Sequence, residues 1–149
     1  MGVKLKLSST KTIVKNKSII LIDDSIVRGT TCNKIVKMLY ESGAKEVHVR
    51  IACPEIKFPD FYGVDMPTKE ELLAYKKNNQ EMSDHIKAKS LKFLSLTGLY
   101  KALIGKDRND NYPQFSDHYF TGEYPIKPSD SLRGLKVKQL SLLSGKSNT

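Results

Sequence analysis

The chain has 149 residues, with 25 lysines and arginines against 16 aspartates and glutamates and a formal net charge of +9, a length that suits one domain. The positive charge is spread along the chain chiefly as lysine, with arginine only at Arg28, Arg50, Arg108 and Arg133. Few aromatics are interleaved with it, so a solvated lysine-rich surface is favoured over a nucleic-acid-binding one. The two cysteines, Cys32 and Cys53, show neither metal-ligand spacing nor the even framework of a small secreted domain and read as cytosolic thiols; no apolar run reaches the roughly 18 residues of a membrane span, the start has no signal-peptide core, and Lys6 stands where a myristoylation pattern wants Ser or Thr.

Val3, Leu5 and Leu7 alternate with Lys4 and Lys6 as in a half-exposed strand, and Ile13 to Val14 is a second, shorter strand candidate before a turn near Asn16-Lys17. Ile19 to Ile22 is an unbroken branched apolar run, the pattern of a central strand buried on both faces of a parallel sheet. Asp23 and Asp24 then fall at the carboxyl end of that strand, the edge at which open α/β sheets bind ligands. Gly29 marks the sharpest point of the loop from Ser25 to Thr31. The helix that follows, Cys32 to Ser42, carries Ile35, Val36, Met38 and Leu39 at helical spacing.

A loop that feeds a helix N-terminus meets unpaired backbone N–H groups and about half a positive charge, a natural cradle for phosphate. Ser25, Thr30 and Thr31 can add hydroxyl donors, and Gly29 lets backbone approach the anion. The carboxylates of Asp23 and Asp24 suit ribose hydroxyls or Mg²⁺, a hard cation that takes oxygen ligands.

Gly43 is placed to end the helix, and Val47, Val49 and Ile51 alternate with His48 and Arg50 in a second strand, Glu46 to Ala52. Pro54 and Pro59 bracket an extended loop. Thr68 with Glu71 forms a capping-box signature ahead of a short helix with Leu72, Leu73 and Tyr75, and a second short helix spans Glu81 to Ile86. Leu91 to Leu94 reads as a strand, Leu96 to Leu103 as a helix stopped at Gly105, Lys106 to Gln114 as a polar linker and Phe115 to Pro125 as a docked segment. Beyond Lys127 the composition is that of a solvated tail, with a weak helical pattern over Leu132 to Leu143. His48 reads as an ordinary strand residue, His85 as exposed, and Asp117 with His118 as surface decoration.

Ile22-Asp23-Asp24-Ser25-Ile26-Val27-Arg28-Gly29-Thr30-Thr31 resembles the phosphoribosyl pyrophosphate (PRPP) motif of type I phosphoribosyltransferases, in the form found in the glutamine amidophosphoribosyltransferases. Gly43 to Arg50, Pro59 to Thr68, Ser90 to Leu99 and Phe120 to Pro125 resemble successive later stretches of the same family, so the likeness covers roughly residues 2 to 126. It implies a fold, part of the type I phosphoribosyltransferase domain with its Rossmann-like parallel sheet, followed by a helical or extended C-terminal segment and a tail. It implies an activity as well. In the whole enzyme ammonia released from glutamine displaces pyrophosphate from PRPP to give phosphoribosylamine, opening purine synthesis in the cytoplasm.

By that resemblance Asp23 and Asp24 contact the ribose and Mg²⁺, while Ser25, Ile26, Val27, Arg28, Gly29, Thr30 and Thr31 hold the 5-phosphate of PRPP or ribose 5-phosphate. Many family members bind an iron–sulfur cluster, but Asp60, Ser116 and Tyr119 stand where the cluster thiolates would be, so no cluster is expected. Residues 1–105 are read as the C-terminal part of the phosphoribosyltransferase domain, 106–126 as linker and docked segment, and 127–149 as tail. A Gly follows Met1 where an N-terminal nucleophile would be, and the glutaminase domain and pyrophosphate loop are missing. The expectation is therefore a chain inactive alone, needing a complementary N-terminal chain or a homo-oligomer. The competing expectation is a non-catalytic remnant or split subunit that binds a phosphorylated ribose; a basic nucleic-acid-binding domain ranks last.

Overall fold

The computed structural model describes residues 11–63 and 68–126. The strand expected at Val3 to Leu7 and the tail beyond Lys127 lie outside the described residues. A single helical turn, α1 (Lys11–Val14), leads into β1 (Ser18–Asp23), α2 (Thr30–Glu41) and β2 (Glu46–Ile51). A 3-10 turn at Lys69–Glu71, then α3 (Leu73–Lys76), α4 (Asn79–Ile86), β3 (Ser90–Phe93), α5 (Leu96–Ile104) and α6 (His118–Thr121) complete the order.

The strands form one parallel sheet in the order β1-β2-β3. Ile19 pairs with Val47, Leu21 with Val49 and Asp23 with Ile51, while Val49 and Ile51 pair with Leu91 and Phe93. Because side chains alternate along a strand, this register gathers Ile19, Leu21, Val47, Val49, Ile51, Leu91 and Phe93 on one face. There they meet Cys32, Val36 and Leu39 of α2, Leu73 of α3, and Met82 and Ile86 of α4 in the main core.

Two strand expectations are corrected. Ile13 to Val14 is not a strand: Lys15 N–H donates to the Lys11 carbonyl at 3.0 Å, closing a helical turn that buries Val14 in the core. β1 is a strand as expected, but among the described residues it is the edge strand of the sheet and is not buried on both faces. Ile20 and Ile22 are 65% and 73% exposed. Among the described residues α2, α3 and α4 pack on the face of Ile19 and Leu21, and a local apolar run carries no information about which strands lie beside it.

The helix ends follow local chemistry. Gly43, with φ of 95°, lies just beyond α2, and Ser95 caps α5 by accepting from the Gly98 N–H at 3.0 Å. The polar stretch after Ile104 is pinned at Arg108, whose guanidinium, 10% exposed, meets Asp117 at 2.7 Å and also contacts Asp110 and Glu123. Tyr100 of α5 donates its hydroxyl to the same Asp117 carboxylate at 2.7 Å. The segment around α6 thereby lies against the loop after β2, where Lys57 and Phe58 N–H donate to the Tyr119 carbonyl at 2.9 and 3.1 Å.

Candidate functional site

β1 delivers Asp23 to the carboxyl edge of the sheet, and the chain turns there at once. Asp24 N–H donates to Asp23 Oδ1 and the Ser25 hydroxyl to Asp24 Oδ1, each at 3.0 Å. Ile26, 3% exposed, anchors the loop in the core. Gly29 then adopts the left-handed conformation, φ 76° and ψ −5°, as the N-cap of α2, a conformation that glycine takes at little cost. Because no side chain caps this helix end, its first N–H groups face the loop and are available to an anion.

Asp23, Ser25, Ile26, Arg28, Gly29, Thr30, Thr31 and Cys32 line a cavity of about 160 Å³. Thr30 and Thr31, expected in the loop, form the first turn of α2. Asp24 and Val27 are not among the lining residues, and Val27 gives its carbonyl to the Leu73 N–H at 2.8 Å. Cys32 also lines the cavity, although the sequence reads it only as a cytosolic thiol; burial, aided by the charge of Asp23, pushes that thiol up to about 11. Burial and Asp24 raise Cys53 likewise, to about 11. A larger hollow of about 450 Å³ sits between the exits of β2 and β3, lined by Pro54, Lys57, Phe93, Ser95 and Phe120 among others. Its lining contains neither the acidic pair nor the left-handed Gly29 turn.

Asp60, Ser116 and Tyr119 also come together, around His118. Ser116 Oγ lies 2.9 Å from His118 Nδ1, His118 Nε2 lies 2.8 Å from Asp60 Oδ1, and the Tyr119 hydroxyl donates to that same oxygen at 3.1 Å. The side chains of His118 and Asp60 are 2% and 1% exposed. The rings of Tyr62, Tyr119 and Tyr124 lie 5.2, 4.0 and 5.0 Å from the imidazole. The expectation that Asp117 and His118 decorate the surface is therefore overturned: both are buried, Asp117 on Arg108 and Tyr100, His118 on Asp60. Their partners lie up to 58 positions away, beyond the reach of local pattern.

The chain is 51% identical over 144 residues to an amidophosphoribosyltransferase of Rhizobium etli, covering 96% of this chain and 29% of that protein. A Staphylococcus aureus amidophosphoribosyltransferase is 53% identical over 124 residues, 83% of this chain and 25% of its own length. The chain is homologous to one part of the amidophosphoribosyltransferases. Among solved structures, the glutamine PRPP amidotransferase of B. subtilis in complex with ADP and GMP superposes with a TM-score of 0.74 at 44% identity, over 83% of this chain and 27% of that one. A structure described as the allosteric regulatory enzyme of purine biosynthesis superposes with a TM-score of 0.73, also at 44% identity. No family model matches. The parallel sheet is thus that of a phosphoribosyltransferase fold, and the chain spans 25–29% of the length of these amidophosphoribosyltransferases.

Proposed function

We propose that this chain is the PRPP-binding portion of an amidophosphoribosyltransferase, acting in the cytoplasm at the first step of purine synthesis, and that the cavity at residues 23–32 receives the phosphorylated ribose. The observation that carries the reading is the juxtaposition of a left-handed glycine N-cap, uncapped helix N–H groups, three hydroxyl side chains and the acidic pair at one strand end. In it, Ser25 to Thr31 hold the 5-phosphate through backbone N–H and hydroxyl groups. Asp23 and Asp24 accept from the ribose hydroxyls. On this reading residues 1–105 belong to the phosphoribosyltransferase domain, 106–126 dock on it and 127–149 form a tail.

The donor set suits Mg²⁺. Asp23 and Asp24 offer hard carboxylate oxygens, and among the described residues there is no group of three or more His, Cys, Asp and Glu that would build an all-protein metal cage. Mg²⁺ is commonly held by one or two carboxylates with the remaining positions left to water and ligand phosphates. When bound, the ion would supply charge neutralisation for the pyrophosphate of PRPP. The chain's own residues orient the ribose and fix its 5-phosphate, which is positioning. No iron–sulfur cluster belongs to this reading: Asp60, Ser116 and Tyr119 present oxygen where thiolates would be needed and already hydrogen-bond within the His118 network.

These 149 residues span 25–29% of the length of the matched relatives, and the reading gives them the phosphorylated-ribose site of the whole enzyme. The test has two arms on these residues. Calorimetric titration with ribose 5-phosphate is expected to give a dissociation constant on the order of 0.1 to 1 mM, and pyrophosphate release from PRPP with Mg²⁺ and ammonia is expected to stay at background. Absence of ribose 5-phosphate binding refutes the site; robust Asp23-dependent pyrophosphate release by these residues refutes the reading of them as one part of the reaction machinery.

A further inference from the structure

The anion loop does not stand alone; its far side rests on the segment that begins with the 3-10 turn. Leu73 N–H donates to the Val27 carbonyl at 2.8 Å, and Asn33 on α2 donates its side-chain amide to the His85 carbonyl at 2.8 Å. Gly29 lies so close to this support that a Cβ there would be 2.7 Å from Leu73 Cδ2. A further tie is ionic: Arg28 Nη2 meets Glu71 Oε2 at 3.3 Å, across 43 positions of sequence. That same Glu71 oxygen accepts the Thr68 N–H at 3.2 Å, so the carboxylate is fixed from its own side by the cap of the turn. Arg28 meanwhile lines the anion cavity.

We propose that Glu71 is a positioning residue for the anion loop: its capped carboxylate holds the Arg28 guanidinium at the mouth of the cavity, so that an arriving phosphate meets an ordered cation. The inference rests on the reading of Ser25 to Thr31 as a phosphate loop and adds to it a residue outside the motif. A guanidinium has five N–H donors in a rigid fork. The bond to Glu71 engages Nη2 and leaves the other donors of the fork for the anion. Hydrogen bonding from Arg28 holds the Glu71 carboxyl below its ordinary range, so it is charged at neutral pH and the tie is present under working conditions. The loop is fastened independently through Leu73, so Glu71 is not required for its fold.

The experiment is an NMR titration of the full, isotope-labelled chain with ribose 5-phosphate, following residues 23–32 in the wild type, E71Q, E71D, R28A and the R28A/E71Q double variant. E71Q is expected to raise the dissociation constant about threefold, the scale of an exposed ion pair, while E71D, which keeps the charge, retains most of the affinity. The deciding readout is the cycle: once Arg28 is gone, E71Q should have no further effect. An unchanged or tighter constant in E71Q overturns the proposal, as does an equal loss in the R28A background. An E71Q chain that fails to fold overturns it too, since Leu73 should hold the loop. If the wild type shows no shifts at residues 23–32, the phosphate reading and this inference fall together; wild-type binding with a neutral E71Q removes only the role of Glu71.

Discussion

The buried pair of His118 and Asp60 makes the sharpest claim on stability. The two side chains meet at 2.8 Å with 2% and 1% of their surface exposed, so neither charge nor hydrogen-bonding capacity can be handed to bulk water if its partner is removed. His118→Leu leaves the Asp60 carboxylate in the aromatic pocket, where the Tyr62 N–H and the Tyr119 hydroxyl still donate to it, but without the imidazole. Breaking one side of a buried pair costs about 3–5 kcal/mol, a large share of the roughly 5–15 kcal/mol of a whole domain. With a urea slope of about 2 kcal/mol per molar, the unfolding midpoint should fall by about 1.5–2.5 M, read by circular dichroism. Replacing both partners, D60L/H118L, removes the carboxylate along with the imidazole. The double variant should therefore be more stable than H118L alone, since a buried polar pair exchanged as a whole for apolar side chains is often near neutral. A loss below about 1 kcal/mol in H118L, or a double variant that loses the sum of the two single changes, refutes the reasoning and reduces the network to a packing contact.

Gly29→Val forces a β-branched residue to φ 76° with its Cβ 2.7 Å from Leu73 Cδ2, so thermal unfolding should show a loss of about 2 kcal/mol or more and ribose 5-phosphate shifts should vanish; unchanged binding would count against backbone approach at this position. Both thiols are raised to about 11 by burial and a neighbouring aspartate, so the folded chain should resist iodoacetamide at pH 8. Stability should be full below the ordinary thiol value near 8.5 and decline as pH rises from there towards 11, a decline that C32A should reduce. At Asp117 burial opposes ionisation, but hydrogen bonds from Arg108 and Tyr100 outweigh it and hold the carboxyl below its ordinary value. Its stabilisation is therefore present above the unfolded value near 3.9 and lost as pH falls through the lower folded value, so the gap between wild type and D117N should narrow below about pH 4 in acid-dependent urea unfolding.

What could be read from the chain alone is what is local. Ile19 to Ile22, the acidic pair and the Gly29 turn lie within a dozen residues, and their chemistry is set by neighbours in sequence, so strand, loop and helix start follow from side-chain type and spacing. The capping box at Thr68 and Glu71 was legible for the same reason, but only half of what Glu71 does: its bond to Arg28 closes over 43 positions, and no spacing rule reaches that far. Burial of polar residues fails for a related cause. Arg108 sits in a stretch that composition marks as a linker, and His118 between an Asp and a Tyr reads as surface, because hydropathy patterning records what a side chain loses on leaving water and not what it gains from a partner. Asp117 and Asp60 supply those partners from elsewhere in the chain, and the surrounding tyrosines exclude water from the imidazole. The edge position of β1 has the opposite origin. Its apolar run predicts cover on both faces, and Ile20 and Ile22 stand exposed because the cover for a parallel strand comes from other segments, whose identity the strand's own residues do not encode.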